Sequence, residues 1–440
     1  MSAEASTSGA AVNGKKKKAP KRVFDLTSQN RRHVALRVSY IGWDMHGLAR
    51  QENIPNTVEE HLFNALQRTN LSFGPDRSRY SRCGRTDKGV SALSQVVALY
   101  VRTLLPSGAS VIPAGVDLAD DAQNTVENLE RLSQQLMQEK PLPEGAEEPA
   151  ELDYPTILNG VLPPEIRVHA WCPVPHNFSA RFSCVGRTYR YYFLKQTLDV
   201  DAMNRAAQRL LGEHDFRNFC KMDIENVKSF RRSIHSACVR PCAGAAVALK
   251  QDPQSPLALY EFEVVGSAFL WHQVRCMVAV LFLVGQGHED ESVITSMFDL
   301  PCKPVFLMAP PEPLVLYNCS FGDIPLDWRT SEGHTARVLQ TMMSIYSQVA
   351  LKAAVVIGMM CTLPEFEPMC NDMSIMHGVG KRTRHIPLLE RPVEASYEER
   401  RGFFERKLRR KNDGSAVAGG TSRDEEDDSE VPPPADDADE

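Results

Sequence analysis

Two stretches of this chain repeat one order of hydrophobic periods, and that repetition restricts the fold more than any other feature of the sequence. In the first, Val34, Leu36, Val38 and Tyr40 alternate at the two-residue spacing of a half-buried strand. Thr57 and Glu60 then stand at the spacing of a capping box, opening an apolar stripe at Val58, Leu62, Ala65 and Leu66. A short strand over 78–82, a loop over 84–89, a buried strand over 95–101, a helix over 124–138 and a strand over 166–171 follow. The second stretch gives a strand over 187–194, a helix over 201–211 with Asp201 as N-cap and Gly212 as its stop, and strands over 230–240 and 258–265. A helix over 269–284, apolar on nearly every side from Met277 onward, precedes a last strand over 314–320. The order β-α-β-β-α-β in both halves predicts an α+β fold of two ferredoxin-like domains, antiparallel sheets flanked by helices.

The chain of 440 residues is longer than this frame. Residues 1–32, with Lys15, Lys16, Lys17 and Lys18 followed by Lys21 and Arg22, read as a disordered basic arm. That cluster suits a nuclear-localisation signal, an RNA-contacting tail or a solubilising tail equally, so residence in the nucleus and/or the cytoplasm is expected. Domains are expected over 33–180, with an acidic insertion at 113–153, and over 181–330. A helical extension over 331–412 ends in a charged helix over 396–411, and the acid-rich segment 413–440 buries too little to fold. The net charge of −6 misleads until it is divided: removing −10 from 413–440, −9 from the insertion and +6 from the arm leaves a body of +7. Such a body permits a polyanionic partner without requiring one.

The apolar stretch 269–285 is interrupted by His272, Gln273 and Arg275 and falls short of the roughly 18 residues that a membrane span needs. Neither a membrane span nor a secretory signal is expected. Eleven cysteines are scattered without C-x-x-C spacing, so free thiols in a reducing compartment are expected and a zinc site is not.

Candidate chemistry concentrates at 81–90, S-R-C-G-R-T-D-K-G-V, where one acid, Asp87, sits among Arg82, Arg85 and Lys88 between Gly84 and Gly89. Bases beside a carboxylate favour its ionised form, which suits a nucleophile better than a general acid; the plainer alternative is a turn-capping Asp. The strand over 187–194 places Arg187, Tyr189, Tyr191 and Phe193 on one face, a pattern that fits either base stacking with phosphate contact or ordinary core packing. Arg275, opening an apolar helix, needs a buried carboxylate partner, and Asp87 is the candidate.

These segments resemble the signature motifs of the TruA-type tRNA pseudouridine synthases. The matches are G-R-T-D-K-G-V from Gly84, R-F-S-C-V-G-R-T-Y-R-Y from Arg181 and G-S-A-F-L-W-H-Q-V-R from Gly266. Ser91, Y-I-G-W-D-M-H-G-L-A-R-Q-E-N from Tyr40, G-E-H-D-F-R-N-F-C-K-M-D from Gly212 and L-V-G-Q-G from Leu283 are similar to the eukaryotic branch acting at positions 38 and 39 of the anticodon arm. The resemblance covers about 32–321, with 382–400 similar to that branch's tail. It implies two α/β domains with adjoining sheets, a basic cleft between them and tRNA as partner, acted on by a monomer or homodimer. Asp87 would be the nucleophile, Arg85 the residue filling the space of a flipped base, Tyr189 the residue stacked on the uracil and Arg275 the partner of Asp87. Arg187, Arg82 and Lys88 are expected to bind substrate. An isomerisation needs no group carrier, so no cofactor or metal is expected. The competing reading is a non-catalytic tRNA-binding or tRNA-folding protein on the same scaffold.

Overall fold

The computed structural model describes residues 24–120, 124–141, 150–242, 252, 254–255, 257–363 and 385–412. The cluster Lys15 to Arg22 and the acidic tail from Asp413 lie outside these residues. Eight strands and helices of the first half are β1 (Arg31–Tyr40), α1 (Val58–Arg68), β2 (Ser81–Arg82), β3 (Ser91–Arg102), β4 (Val111–Ile112), α2 (Val126–Glu139), α3 (Tyr154–Asn159) and β5 (Ile166–Pro173). The second half follows as β6 (Gly186–Leu194), α4 (Val200–Gln208), β7 (Gly212–Asp215), β8 (Arg231–Pro241), β9 (Leu259–Gly266), α5 (Gln273–Gly285), α6 (Val293–Asp299) and β10 (Leu314–Ser320). Beyond it lie α7 (His334–Met360) and α8 (Tyr397–Asn412).

All ten strands join one sheet, ordered β4-β1-β3-β10-β6-β9-β8-β7, with β5 also on β1 and β2 also on β3. The orders β5-β1-β3-β2 and β10-β6-β9-β8 are therefore the same arrangement used twice. Pairing is antiparallel within each arrangement, and the halves meet where β10 runs parallel to β3 over two residue pairs, Val315 with Ser91 and Leu316 with Ala92. In the same row Leu316 pairs with Tyr189, and Tyr189 with Val264. This register carries the start of β3, and the loop before it, to within two strands of Tyr189.

Local sequence explains most element ends. Glu60 N–H donates to Thr57 Oγ1 at 3.3 Å, as the capping spacing requires. The cap of α4 is Asp199, accepting from Ala202 N–H at 2.8 Å, rather than the expected Asp201. α5 is buried on nearly its whole circumference, and its Phe282 meets Tyr191 and Phe193 edge-on at 6.0 and 5.2 Å. Burying one such ring contributes about 2–3 kcal/mol, so Tyr191 and Phe193 serve the core. The disordered arm expected over 1–32 gives way to structure from residue 24: Leu26 is buried, and Arg32 is sealed in an ion pair with Glu151 at 3.6 Å.

The apolar stretch over 269–285 is exceeded in length by α7. It runs 27 residues and is long and apolar enough to cross a membrane by length and composition. Only His334 and Val338 are buried in it, while Leu339, Met343, Tyr346, Val355 and Ile357 are exposed.

Histidines of the first half are held in neutral form. His33 stacks on Tyr100 at 4.6 Å, and its Nδ1 lies 2.8 Å from Pro175 O; Tyr100 in turn meets His176 Nδ1 at 2.5 Å. Burial is the largest cause in each case, pushing His33 down to about 3 and His169 and His176 to about 4, from 6.5. Below pH 6.5 the unfolded chain binds protons at these rings that the folded chain does not, so stability falls with pH through the window from about 6.5 to about 3–4. The thermal midpoint followed by circular dichroism should drop between about pH 7 and about pH 5; a constant midpoint would contradict this burial.

Candidate active site

The loop between β2 and β3 is shaped by close packing against residues 42–48. Val90 N–H donates to Asp87 O at 3.1 Å, closing the turn. Met45 O accepts from Gly89 N–H at 3.1 Å, and Leu48 N–H donates to Thr86 O at 3.1 Å. Ser91 Oγ accepts from Gly42 N–H at 3.0 Å, and the Tyr40 and Thr86 hydroxyls are hydrogen-bonded at 2.8 Å. A Cβ on Gly42 would stand 2.1 Å from Val90 O, so backbone contact excludes every other residue there. Gly89 adopts φ 82°, and a Cβ on it would stand 2.9 Å from Pro311 Cγ. Gly42 and Gly89 therefore serve a double-layered loop.

The Asp87 carboxylate emerges from this loop one-quarter exposed. Trp271 Nε1–H donates to its Oδ1 at 3.2 Å, and His272 Nε2 lies 3.5 Å from its Oδ2. Burial, then the charges of Arg275, Lys221 and Lys303, push the His272 imidazole down to about 3, so it meets the carboxylate as a neutral ring. His272 takes a left-handed backbone, φ 60° and ψ 8°, immediately before α5. Lys221 Nζ sits 4.4 Å from the centre of the Trp271 ring, and Lys221 N–H donates to Trp271 O at 3.0 Å. Below, the Tyr189 ring meets Phe269 edge-on at 5.0 Å. Burial raises the Tyr189 phenol well above its usual range, with Cys319, Cys83 and Asp87 adding to the effect, so it stays protonated at neutral pH. Arg275 is buried and donates through Nε to Ala309 O at 2.7 Å.

The expected site residues separate into three groups. Asp87 and Tyr189 come together from the loop and β6, while Arg275 on α5 donates to Ala309 O and acts by its charge on His272, the ring beside Asp87. Arg85 and Lys88 are exposed and make no hydrogen bond or ion pair among the described residues. Arg187 and Arg82 are engaged elsewhere. The Arg187 guanidinium donates to the carbonyls of Cys184, Ser267, Cys83 and Arg181 at 2.6–3.0 Å, which makes it a clamp between segments. Arg82 is paired with buried Glu59, whose Oε1 also accepts from the Tyr80 hydroxyl at 2.9 Å. Both arginines therefore hold the loop and its surroundings in this structure. The contacts that sequence reasoning missed are Trp271 and His272, which lie inside a recognised motif without an assigned role. Phe182 was missed as well: it is 82% exposed, with Arg181 5.3 Å from its ring centre.

A partly exposed carboxylate is thus held by an indole and a neutral imidazole, next to a buried tyrosine and near the exposed Arg85 and Lys88. Residues 206–322 match the family model described as tRNA pseudouridine synthase. The chain is 40% identical over 414 residues to a tRNA pseudouridine(38/39) synthase of Bos taurus, covering 88% of this chain and 80% of that one. It is 39% identical over 417 residues to the Homo sapiens tRNA pseudouridine(38/39) synthase, at 88% and 79% coverage. With the Saccharomyces cerevisiae tRNA pseudouridine(38/39) synthase it shares 39% identity over 328 residues, at 72% and 63% coverage. The chain belongs to the tRNA pseudouridine synthase family and is an isomerase.

A hydrogen bond to a charged group contributes about 1.5–3 kcal/mol, so Trp271→Phe, which keeps the ring and removes the donor, should slow single-turnover isomerisation by roughly tenfold or more. An unchanged rate would mean that the indole contact to Asp87 does not serve the reaction.

Proposed function

We propose that this chain converts uridine to pseudouridine in the anticodon arm of tRNA, at positions 38 and/or 39, with Asp87 as the nucleophile. The observation that carries this reading is the Asp87 carboxylate, one-quarter exposed and oriented by Trp271 and His272 at the junction of the half-sheets. Its support beyond geometry is the identity, at nearly nine-tenths of the chain, to synthases named for those positions.

In this scheme the target uridine leaves the stack, at a cost of a few kcal/mol. Arg85, exposed and unpaired among the described residues, enters the space it vacates. Asp87 attacks the nucleoside, the bond between ribose C1′ and uracil N1 breaks, and the base turns on the Tyr189 ring. A bond from C1′ to C5 then forms, the C5 proton departs, N1 regains a proton and Asp87 is released, so no atom is gained or lost overall. Arg275, set one helical turn after His272, supplies the buried positive charge that keeps Asp87 ionised. Lys88 and Lys221 face the phosphates. The repeated strand order supports two ferredoxin-like domains, 33–180 and 181–330, with the site in the basic cleft between them. Lys15 to Arg22 is consistent with residence in the nucleus and/or the cytoplasm.

Incubation with unmodified tRNA, followed by carbodiimide-dependent reverse-transcription stops, tests the reaction directly. Wild type should produce stops at 38 and/or 39 and Asp87→Ala none, with tRNA binding held within about threefold. Binding by the wild type without isomerisation would instead establish the non-catalytic tRNA-binding role. For Arg85→Ala, turnover at saturating tRNA should fall by about tenfold or more while affinity changes far less; equal losses in both would contradict the base-displacing role.

A further inference from the structure

Three cysteines from separate parts of the chain meet directly under the Asp87 loop. Cys83 immediately precedes Gly84, Cys184 lies just before β6, and Cys319 stands on β10; all three are buried free thiols. Their Sγ atoms all lie within 4.8 Å of one another. Three sulfurs at metal–sulfur distances of about 2.3 Å around one ion stand about 4 Å apart, so the cluster is already near the required spacing. Among the described residues no ion pair accounts for the neighbouring cation: every hydrogen bond made there by the Arg187 guanidinium is to a carbonyl oxygen, including those of Cys83 and Cys184. A guanidinium without a carboxylate, laid against three thiols, offsets the negative charge that they carry once ionised.

We propose that Cys83, Cys184 and Cys319 form a binding site for one soft, thiol-seeking d10 metal ion, Cu(I) or Zn(II). Soft thiolate donors select these two ions. Among the described residues no further His, Cys, Asp or Glu joins the group, so Cu(I) fits the three donors as they stand and Zn(II) takes a water as its fourth ligand. The ion displaces the thiol protons, so uptake is accompanied by proton release. Its structural consequence follows from the elements it joins. Cys83 belongs to the first half, Cys184 and Cys319 to the second, and the ion ties the catalytic loop across the seam between them. This site does not rest on the isomerase reading, because its readouts are metal binding and melting, measured without tRNA or turnover.

The test uses the full chain, stripped of metal by a chelator under reducing conditions and titrated with Zn(II) and, in a separate arm, with buffered Cu(I). The readouts are sulfur-to-metal charge-transfer absorption, metal retained per chain after desalting, and the melting temperature. In at least one arm the wild type should retain one ion per chain, show the absorption band and melt higher; the arm that does so identifies the ion. Cys184→Ala and Cys319→Ser should retain none, whereas Cys361→Ser, which removes an exposed thiol, should bind as the wild type does. Failure of the wild type to retain an ion in either arm overturns the proposal, as does undiminished retention by Cys184→Ala. The wild-type titration decides even where a variant does not fold.

Discussion

The structure turns on two parallel residue pairs, Val315 with Ser91 and Leu316 with Ala92, through which β10 attaches one half of the sheet to the other. Hydrogen bonding there fixes where β3 begins relative to β6, and β3 begins at the residue that ends the Asp87 loop. A two-residue shift at this seam would move the loop by one strand repeat, roughly 7 Å, and the indole and imidazole would no longer reach the carboxylate. The burial of α5 on nearly every side matters for the same reason, since it immobilises the segment that presents Trp271 and His272.

Charge follows an equally economical arrangement. Arg190 and Arg240 bracket Glu261 and Glu263 at 2.7–3.2 Å, linking β6, β8 and β9 in a four-member lattice, and Arg190 also covers the Tyr317 ring at 3.6 Å. Arg82 is committed to Glu59 and Arg187 to four carbonyls. A count of basic residues therefore overstates what is left for a polyanion. The exposed cations of the Asp87 loop are few, Arg85 and Lys88, while Lys221 lies over the Trp271 ring.

Much of this was legible from residue order, for physical reasons that also mark the limits. Period-two alternation located β1, β6 and β9, and uniform apolarity located α5, because burial imposes those patterns directly on the sequence. The acid-bearing loop was legible because glycines and charges crowd into one turn. The roles of Arg187 and Tyr191 were not legible because alternation assigns a face but not what lies against it; one face of β6 serves the core, a backbone clamp and the pocket within seven residues. The cysteine group was invisible to spacing rules, since its members are brought together only by the sheet order. Residue 199 displaced 201 as a cap because two acids stand within one turn and the chain path selects the first. The exposure of α7 could not be read either, as its apolar period is that of any buried helix.

The backbone at His272 carries a final implication. A left-handed conformation costs a residue with a side chain about 1–2 kcal/mol, a penalty that glycine avoids. Glycine would enter α5 more comfortably, yet would leave Oδ2 of Asp87 facing empty space where the ring now stands. A chain selected only for thermal endurance would drift towards glycine at 272, and retention of the ring would then measure how far folding has yielded to chemistry at this threshold.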